Sequence, residues 1–295
     1  MISYIVCSRT ANLADKIVKN IATTVGCDYE LVVIDNSHKE YNIFTAYEEG
    51  VKRAKGDILC FAHDDVVNYH TSNWGVNVER HFAEDDSLGC VGIVGTHFAP
   101  NTPFEWYHCL LQSGGCIMTT NGKSENMQYL DHFTDGKTII EAVVLDGQWM
   151  CIRRSLFDKG LIRWDKENFD GWHCYDTDIC FQVRNAGYKV GIVADVLIEH
   201  TSFGTCTKAW IEATKKVYEK WKHTLPQVAG MQMSEEETKI RTQYIELAMG
   251  HFFSVVKATE ELKNIRHSHA YQIGKGIVRP IAKMVKSLVC GGGDS

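Results

Sequence analysis

Proline is scarce in this 295-residue chain: there are four, and none before position 100. So few breakers of helices and ladders, with 23% charged residues, exclude an extended disordered chain. No stretch approaches the roughly eighteen apolar residues that a spanning helix needs. The amino terminus, Met1-Ile2-Ser3-Tyr4-Ile5-Val6-Cys7, has no basic segment ahead of its apolar run, so no secretory signal is expected and the protein is placed in the cytoplasm. C-x-x-C spacing is absent as well. Eleven scattered cysteines, odd in number, exclude a zinc knuckle and a disulfide framework and are expected to be buried thiols. Net basic charge is missing from the main body, which carries 25 Lys/Arg against 36 acids before Leu262, whereas six basic residues face one acid from there on. An acidic body excludes a nucleic-acid partner for it. What is present, 44% hydrophobic and 11% aromatic residues, suffices for one large or two modest cores.

One stretch organises the rest: Gly56-Asp57-Ile58-Leu59-Cys60-Phe61-Ala62-His63-Asp64-Asp65-Val66. An apolar run of strand formers, opened by glycine and closed by acids, reads as a buried strand delivering His63, Asp64 and Asp65 to a sheet edge. Without other support the acids would read as a solvated turn or a helix cap. The surrounding chain supplies that support. Strands are expected at 3–7, 30–35, 57–63 and 88–95, with a helix capped by Asn12 and ending at Gly26, and further helices at 42–54 and 74–84. Strand alternating with helix implies a parallel sheet with right-handed crossovers. Residues 96–136, punctuated by Pro100, Pro103, Gly114, Gly115 and Gly122, read as a long irregular insertion. Order returns with strand-like runs at 138–145 and 147–153, a helix at 175–186 and a strand at 188–198. From Thr207 the periodicity is helical only, with Trp210, Ala213, Val217 and Trp221 at packing spacing. A boundary is therefore expected near residue 206, dividing a 1–206 domain from a 207–295 helical region with a flexible tail at Gly291-Gly292-Gly293.

Four polar clusters fall at strand ends or helix starts: Asp35, His63-Asp64-Asp65, Tyr175-Asp176-Thr177-Asp178 and His200. Charge without a partner is costly at such an edge, so several converging carboxylates suggest a divalent cation between them, Mn²⁺ or Mg²⁺. That edge is also where open α/β sheets bind ligands, and Arg9, just past the first strand, is placed to meet a diphosphate. Trp149 and Trp172, close by in sequence, either stack on a ligand or pack in the core. Asp178 reads as a helix-start charge favoured by the dipole.

Together with Ile34-Asp35-Asn36-Ser37, Ala54-Lys55-Gly56-Asp57, Asp146-Gly147-Gln148-Trp149-Met150, Arg153-Arg154, Ala186-Gly187-Tyr188-Lys189-Val190 and Glu199-His200, these pieces resemble the family-2 glycosyltransferases of GT-A fold, in the bacterial branch with a His-x-Asp-Val metal sequence. The resemblance covers residues 1–205. It implies an α/β, Rossmann-like nucleotide-diphospho-sugar transferase fold, with a mixed, mainly parallel sheet and helices on both faces. It implies a metal-dependent, inverting, hexosyltransferase-like enzyme that moves a sugar from a nucleotide sugar, a UDP-sugar first of all, to a hydroxyl of a glycan or lipid-linked saccharide acceptor in bacterial surface polysaccharide biosynthesis. Carried over by position, Asp35 contacts the base, Asp64 lies near the ribose or diphosphate, Asp65 binds the metal with His200 as second ligand, and Asp176 is the catalytic base. Arg9, His63 and Trp149 complete the donor site. Two positions depart from the family pattern: His63 replaces the first acid of Asp-x-Asp, and Tyr175 the Glu of Glu-Asp.

The chemistry is consistent with those roles. A cation stabilises charge on a departing diphosphate, and a carboxylate takes the acceptor's proton. Asp176, at a helix start, is expected to have its pKa lowered by the helix N-terminus. Two rivals remain open. A sugar nucleotidyltransferase would show a Gly-rich basic loop after the first strand, where Cys7-Ser8-Arg9-Thr10-Ala11-Asn12 stands; a non-catalytic carbohydrate-binding or scaffold protein is suggested by His63 and Tyr175. In the tail, apolar Ile277, Val278, Ile281, Val285 and Leu288 alternate with Lys275, Arg279, Lys283 and Lys286, so residues 275–290 read either as a peripheral contact with the inner membrane face or as a packing helix or subunit contact.

Overall fold

The computed structural model describes residues 1–109, 111–120, 122–128, 137–202, 204 and 206–267. In chain order the strands are β1 (Ile2–Ser8), β2 (Tyr29–Asp35), β3 (Ile58–His63), β4 (Val66–Tyr69), β5 (Leu88–Gly92), β6 (Val94–Thr96), β7 (Phe98–Ala99), β8 (Gln112–Thr120), β9 (Lys123–Gln128), β10 (Ile139–Ala142), β11 (Val144–Leu145), β12 (Trp149–Arg153), β13 (Lys189–Val193), β14 (Ile198–His200) and β15 (Gln227–Val228). The α-helices are α1 (Asp15–Thr24), α2 (Ile43–Arg53), α3 (Trp74–Glu84), α4 (Arg154–Asp158), α5 (Tyr175–Asn185), α6 (Lys208–Trp221) and α7 (Glu235–His267).

Seven strands form the main sheet in the order β10-β13-β5-β12-β3-β1-β2. The sheet is mixed. β1 is parallel to β2 and β3, and β13 to β5, whereas β12 runs antiparallel between β3 and β5, and β10 antiparallel to β13. The unbroken apolar run of β1 needs cover on both faces, and Ile2, Tyr4, Ile5 and Val6 are all buried. Helix α2 packs so closely on β1 that a Cβ on Gly50 would collide with Ile5. Its start is fixed by a reciprocal capping box, in which Asn42 Oδ1 accepts from Thr45 N and Thr45 Oγ1 from Asn42 N. Helix α1 instead begins after Ala14 without a side-chain cap, so Asn12 is not the N-cap expected of it.

A second sheet, β11-β6-β8-β14-β4 with β9 on β8, carries what sequence periodicity missed. Within the expected irregular insertion, β8 and β9 form a hairpin in register from Gly115–Gln128 to Thr120–Lys123. Gly114 is no loop marker here: its φ of 86° bends β8 against β6, where a Cβ would strike the Ile93 carbonyl. The expected strands at 138–145 and 188–198 are each divided: β10 and β13 belong to the main sheet, β11 and β14 to the second. Past residue 206 the chain is not helical only, because β15 pairs with β7. Helix α6 buries Trp210, Ile211, Val217 and Trp221 and reaches α5 through Lys220 and Trp221, which both donate to Asp178 Oδ1. Residues 275–290, with the expected membrane contact, lie outside the described residues, as does the Gly-rich tail; among the described residues no helix is long and apolar enough to cross a membrane.

Candidate functional site

Because β1 is parallel to both neighbours, three strand ends arrive side by side, with Cys7 opposite His63 and Ser8 opposite Asp35. A cleft of about 220 Å³ opens there, lined among others by Arg9, Asn36, His63, Asp64, Asp65, Trp172 and Tyr175. The second sheet supplies the opposite wall. Strand β4 leaves the acidic turn and pairs antiparallel with β14, placing His200 opposite Val66, and Thr201 N donates to Asp65 O at 3.1 Å. Asp65 and His200, far apart in sequence, are thus joined by a backbone ladder.

Three ligand atoms converge in this cleft. His63 Nδ1 lies 3.4 Å from His200 Nε2, His200 Nε2 lies 2.9 Å from Asp65 Oδ1, and His63 Nδ1 lies 4.0 Å from Asp65 Oδ1. A triangle with these sides contains a point about 2 Å from every corner, a metal–imidazole or metal–carboxylate bond length. The donor set therefore fits a divalent cation. Burial alone would raise the Asp65 pKa, but hydrogen bonds from His200 and from Ser202 (Oγ to Oδ2, 2.5 Å) hold it below the usual carboxylate range. Burial, then the neighbouring His200 charge, lowers the His63 pKa and favours the neutral, ligating imidazole.

The two departures from the family pattern touch each other. His63 Nε2 lies 2.5 Å from the Tyr175 hydroxyl, which also donates to Gly147 O at 3.0 Å. Gly147 leaves room for this, since a Cβ there would collide with the Tyr175 hydroxyl. Tyr175 is itself wedged edge-on against Tyr47 and Phe44. No sequence pattern pairs residues 63 and 175; only the topology does.

Arg9 and Asp64 are also brought together: Arg9 Nε and a terminal nitrogen donate to the two Asp64 oxygens at 2.9 and 2.8 Å, and Arg9 N adds a third bond at 2.9 Å. Asp35 stands exposed at the end of β2 with Oδ1 accepting from Ser37 N, which lowers its pKa; the next residue, Asn36, lines the cleft. Trp149 must be corrected. It is 0% exposed and edge-on to Trp74 in the core, so it offers no face to a sugar, whereas Trp172 is 50% exposed at the cleft.

Asp176 follows Tyr175 on α5, and its carboxylate turns to the 146–147 turn, accepting from Gly147 N at 3.0 Å and Thr177 N at 2.8 Å. The expected lowering of its pKa is overturned. Burial, and then the nearby Asp146 charge, push it up to about 7 against those N–H donors. Glu105, which sequence reading missed, has its pKa pushed up to about 8 by burial and then by Asp176; its oxygens accept from Trp210 Nε1 and Trp106 N. Asp178 is buried and bonded to Lys220, Trp221 and Gln182, so it anchors α6 to α5.

Comparison with known proteins places this geometry. No curated protein sequence matches the chain. Among solved structures it is similar to GalNAc-T7 crystallised with UDP, GalNAc and Mn²⁺, with a TM-score of 0.54 and 11% identity over 76% of this chain and 49% of that one, so the chain spans about half the length of that protein. A crystal structure of S. aureus TarS 1-349 gives a TM-score of 0.46 at 11% identity, over 82% of this chain and 69% of that one. The same TarS segment in complex with UDP-GlcNAc gives 0.42 at 11% identity, over 72% and 60%. A family described as glycosyltransferase-like matches residues 3–242, from β1 through α6 into α7. The chain belongs to this glycosyltransferase family, the family-2-like group, and has the GT-A fold.

Proposed function

We propose that the protein transfers a sugar, with inversion, from a nucleoside-diphosphate sugar to a saccharide hydroxyl, and that it needs a divalent cation to do so. The observation that carries this reading is the His63–Asp65–His200 donor triangle beside the Arg9–Asp64 pair at the carboxyl ends of β1 and β3. Asp65 and His200 would hold the cation, which when bound neutralises charge on the diphosphate leaving group. Arg9 presents a guanidinium to that diphosphate, with Asp64 fixing its orientation. Trp172 offers a ring face to the donor or acceptor. Asp176 accepts the acceptor's proton, and its pKa near 7 suits that task at neutral pH. UDP is the first donor base to test, because the structurally similar GalNAc-T7 was crystallised with it. The mutual hydrogen bond of His63 and Tyr175 favours this reading over a scaffold that lost its chemistry, since the two replacements work as one unit.

A thermal-shift panel of nucleoside diphosphates and nucleotide sugars, with and without Mn²⁺, tests the proposal. One nucleotide should stabilise the protein only when metal is present, by about 2.7 kcal/mol at a hundredfold excess over Kd. Asp65→Ala and His200→Ala should each abolish that shift. Metal-independent stabilisation, or variants that respond as the parent does, would sink the metal site.

A further inference from the structure

We infer that His63 is a third protein ligand of the cation, that the Tyr175 hydroxyl is the positioning residue that holds it in the ligating tautomer, and that the resulting two-imidazole, one-carboxylate set selects Mn²⁺ over Mg²⁺. The inference rests on the proposed metal site and goes beyond it in the ligand count, the role of Tyr175 and the ion preference.

The argument begins with one proton. A tyrosine hydroxyl has a single hydrogen, and the Tyr175 oxygen has two partners: Gly147 O at 3.0 Å, which can only accept, and His63 Nε2 at 2.5 Å. Both contacts are hydrogen bonds at once only when that hydrogen goes to Gly147 O and Nε2 carries the ring proton, donating it to the tyrosine oxygen. Nδ1 is then left with its lone pair. It points to the position shared by His200 Nε2 and Asp65 Oδ1, at 3.4 and 4.0 Å. This is the arrangement in which a ligating histidine donates its far N–H to an outer partner that fixes tautomer and ring orientation. The Tyr175 ring cannot swing away. It is 5% exposed, packed edge-on to Tyr47 and Phe44, and its hydroxyl sits where only a glycine at position 147 leaves space.

Ion preference follows from the donors. Magnesium favours oxygen ligands and dehydrates reluctantly, whereas affinity for nitrogen-containing sites rises along the first-row series that manganese opens, so added imidazole donors favour manganese over magnesium. With an acid at position 63, as in the usual Asp-x-Asp, the cluster would hold one nitrogen donor; with His63 it holds two.

The test uses the full chain with Mn²⁺ or Mg²⁺ alone, without nucleotide, so that it does not depend on sugar transfer. Pulsed electron paramagnetic resonance of bound Mn²⁺ counts directly coupled imidazole nitrogens: two are expected in the parent and one in His63→Gln. Calorimetric titration should give at least tenfold tighter binding of Mn²⁺ than of Mg²⁺, and His63→Asp should narrow that gap. Tyr175→Phe should weaken Mn²⁺ binding about 10–100-fold, the usual effect of losing such an outer partner. In metal-free protein, nitrogen-15 spectra should show the His63 Nε2–H tautomer in the parent and a mixture in Tyr175→Phe. One coupled imidazole in the parent, or unchanged Mn²⁺ binding in both His63→Gln and Tyr175→Phe, overturns the inference. If Asp65→Ala and His200→Ala still lose the ion in that case, the proposed metal site stands without it; if they too bind as the parent does, both fall.

Discussion

Asp176 illustrates how far a residue's chemistry depends on what folds against it. Its place at the start of α5 was legible in the sequence, and a helix N-terminus alone stabilises a carboxylate by only about 0.3–1 kcal/mol. Burial and the Asp146 charge outweigh that and carry the group to about 7. If Asp176 is the base, kcat/KM should rise as pH increases through about 7 and level off above it, because only the ionised carboxylate accepts a proton. Asp176→Asn should lower transfer by about 10²–10⁴-fold while nucleotide affinity stays near that of the parent. Transfer by the Asn variant at near-parental rate would assign the base elsewhere, with Asp146 next in line. Trp149 teaches the same lesson from the other side. Its motif position is beside the site, but β12 is a central strand buried on both faces, which takes its ring into the core, and no sequence signal separates it from the exposed Trp172.

At the scale of elements, the βα units of the first 92 residues were readable because each is a local pattern, an apolar run followed by a helical stripe. Pairing over long sequence distances was not. The β8–β9 hairpin hid behind glycines that read as punctuation, and the insertion of β12 between β3 and β5 leaves no trace in periodicity. The junction of α5 and α6 was likewise invisible, although its parts were seen: Asp178 as a helix-start charge, Trp221 as a packing residue. Lys220 Nζ sits 2.7 Å from Asp165 and 2.6 Å from Asp178, two carboxylates that are each 2% exposed. Lys220→Met would leave both acids buried without their cation. It should destabilise the protein by about 3 kcal/mol, measurable by urea denaturation, and Asp165→Asn combined with Asp178→Asn should recover part of that loss. An unchanged midpoint in Lys220→Met would show that α6 is held by its apolar face alone.

For the whole molecule, two acids with raised pKa values, Glu105 and Asp176, set how stability responds to pH. Glu105 joins the loop before β8 to Trp210 on α6 and lies close enough to Asp176 to feel its charge. Its folded pKa of about 8 stands above the ordinary value of 4.5, so the folded protein keeps a proton that the unfolded chain gives up above about pH 4.5. Stability from this group is therefore full below that pH and is lost as pH rises toward 8; Asp176 adds to the loss up to about 7. Other groups act elsewhere. Half-buried His63, His108 and His173 have lowered pKa values, and their opposing effect, a gain in stability as pH rises, is only half spent at pH 6.5 and is complete about one unit above it. Carboxylates held low, such as Asp85 at about 2, have delivered their stability well below that. Between pH 6.5 and 7.5 the two raised acids outweigh what remains of the histidine effect, and the metal-free protein should lose on the order of 1 kcal/mol of unfolding free energy across that interval. Glu105→Gln retains an oxygen to accept from Trp210 Nε1 and removes the titration, so its loss over the same interval should be no more than about half the parental one. Denaturant titrations of both proteins at the two pH values decide it: a parent indifferent to pH, or a variant with the parental slope, would mean that Glu105 is already ionised in the folded protein.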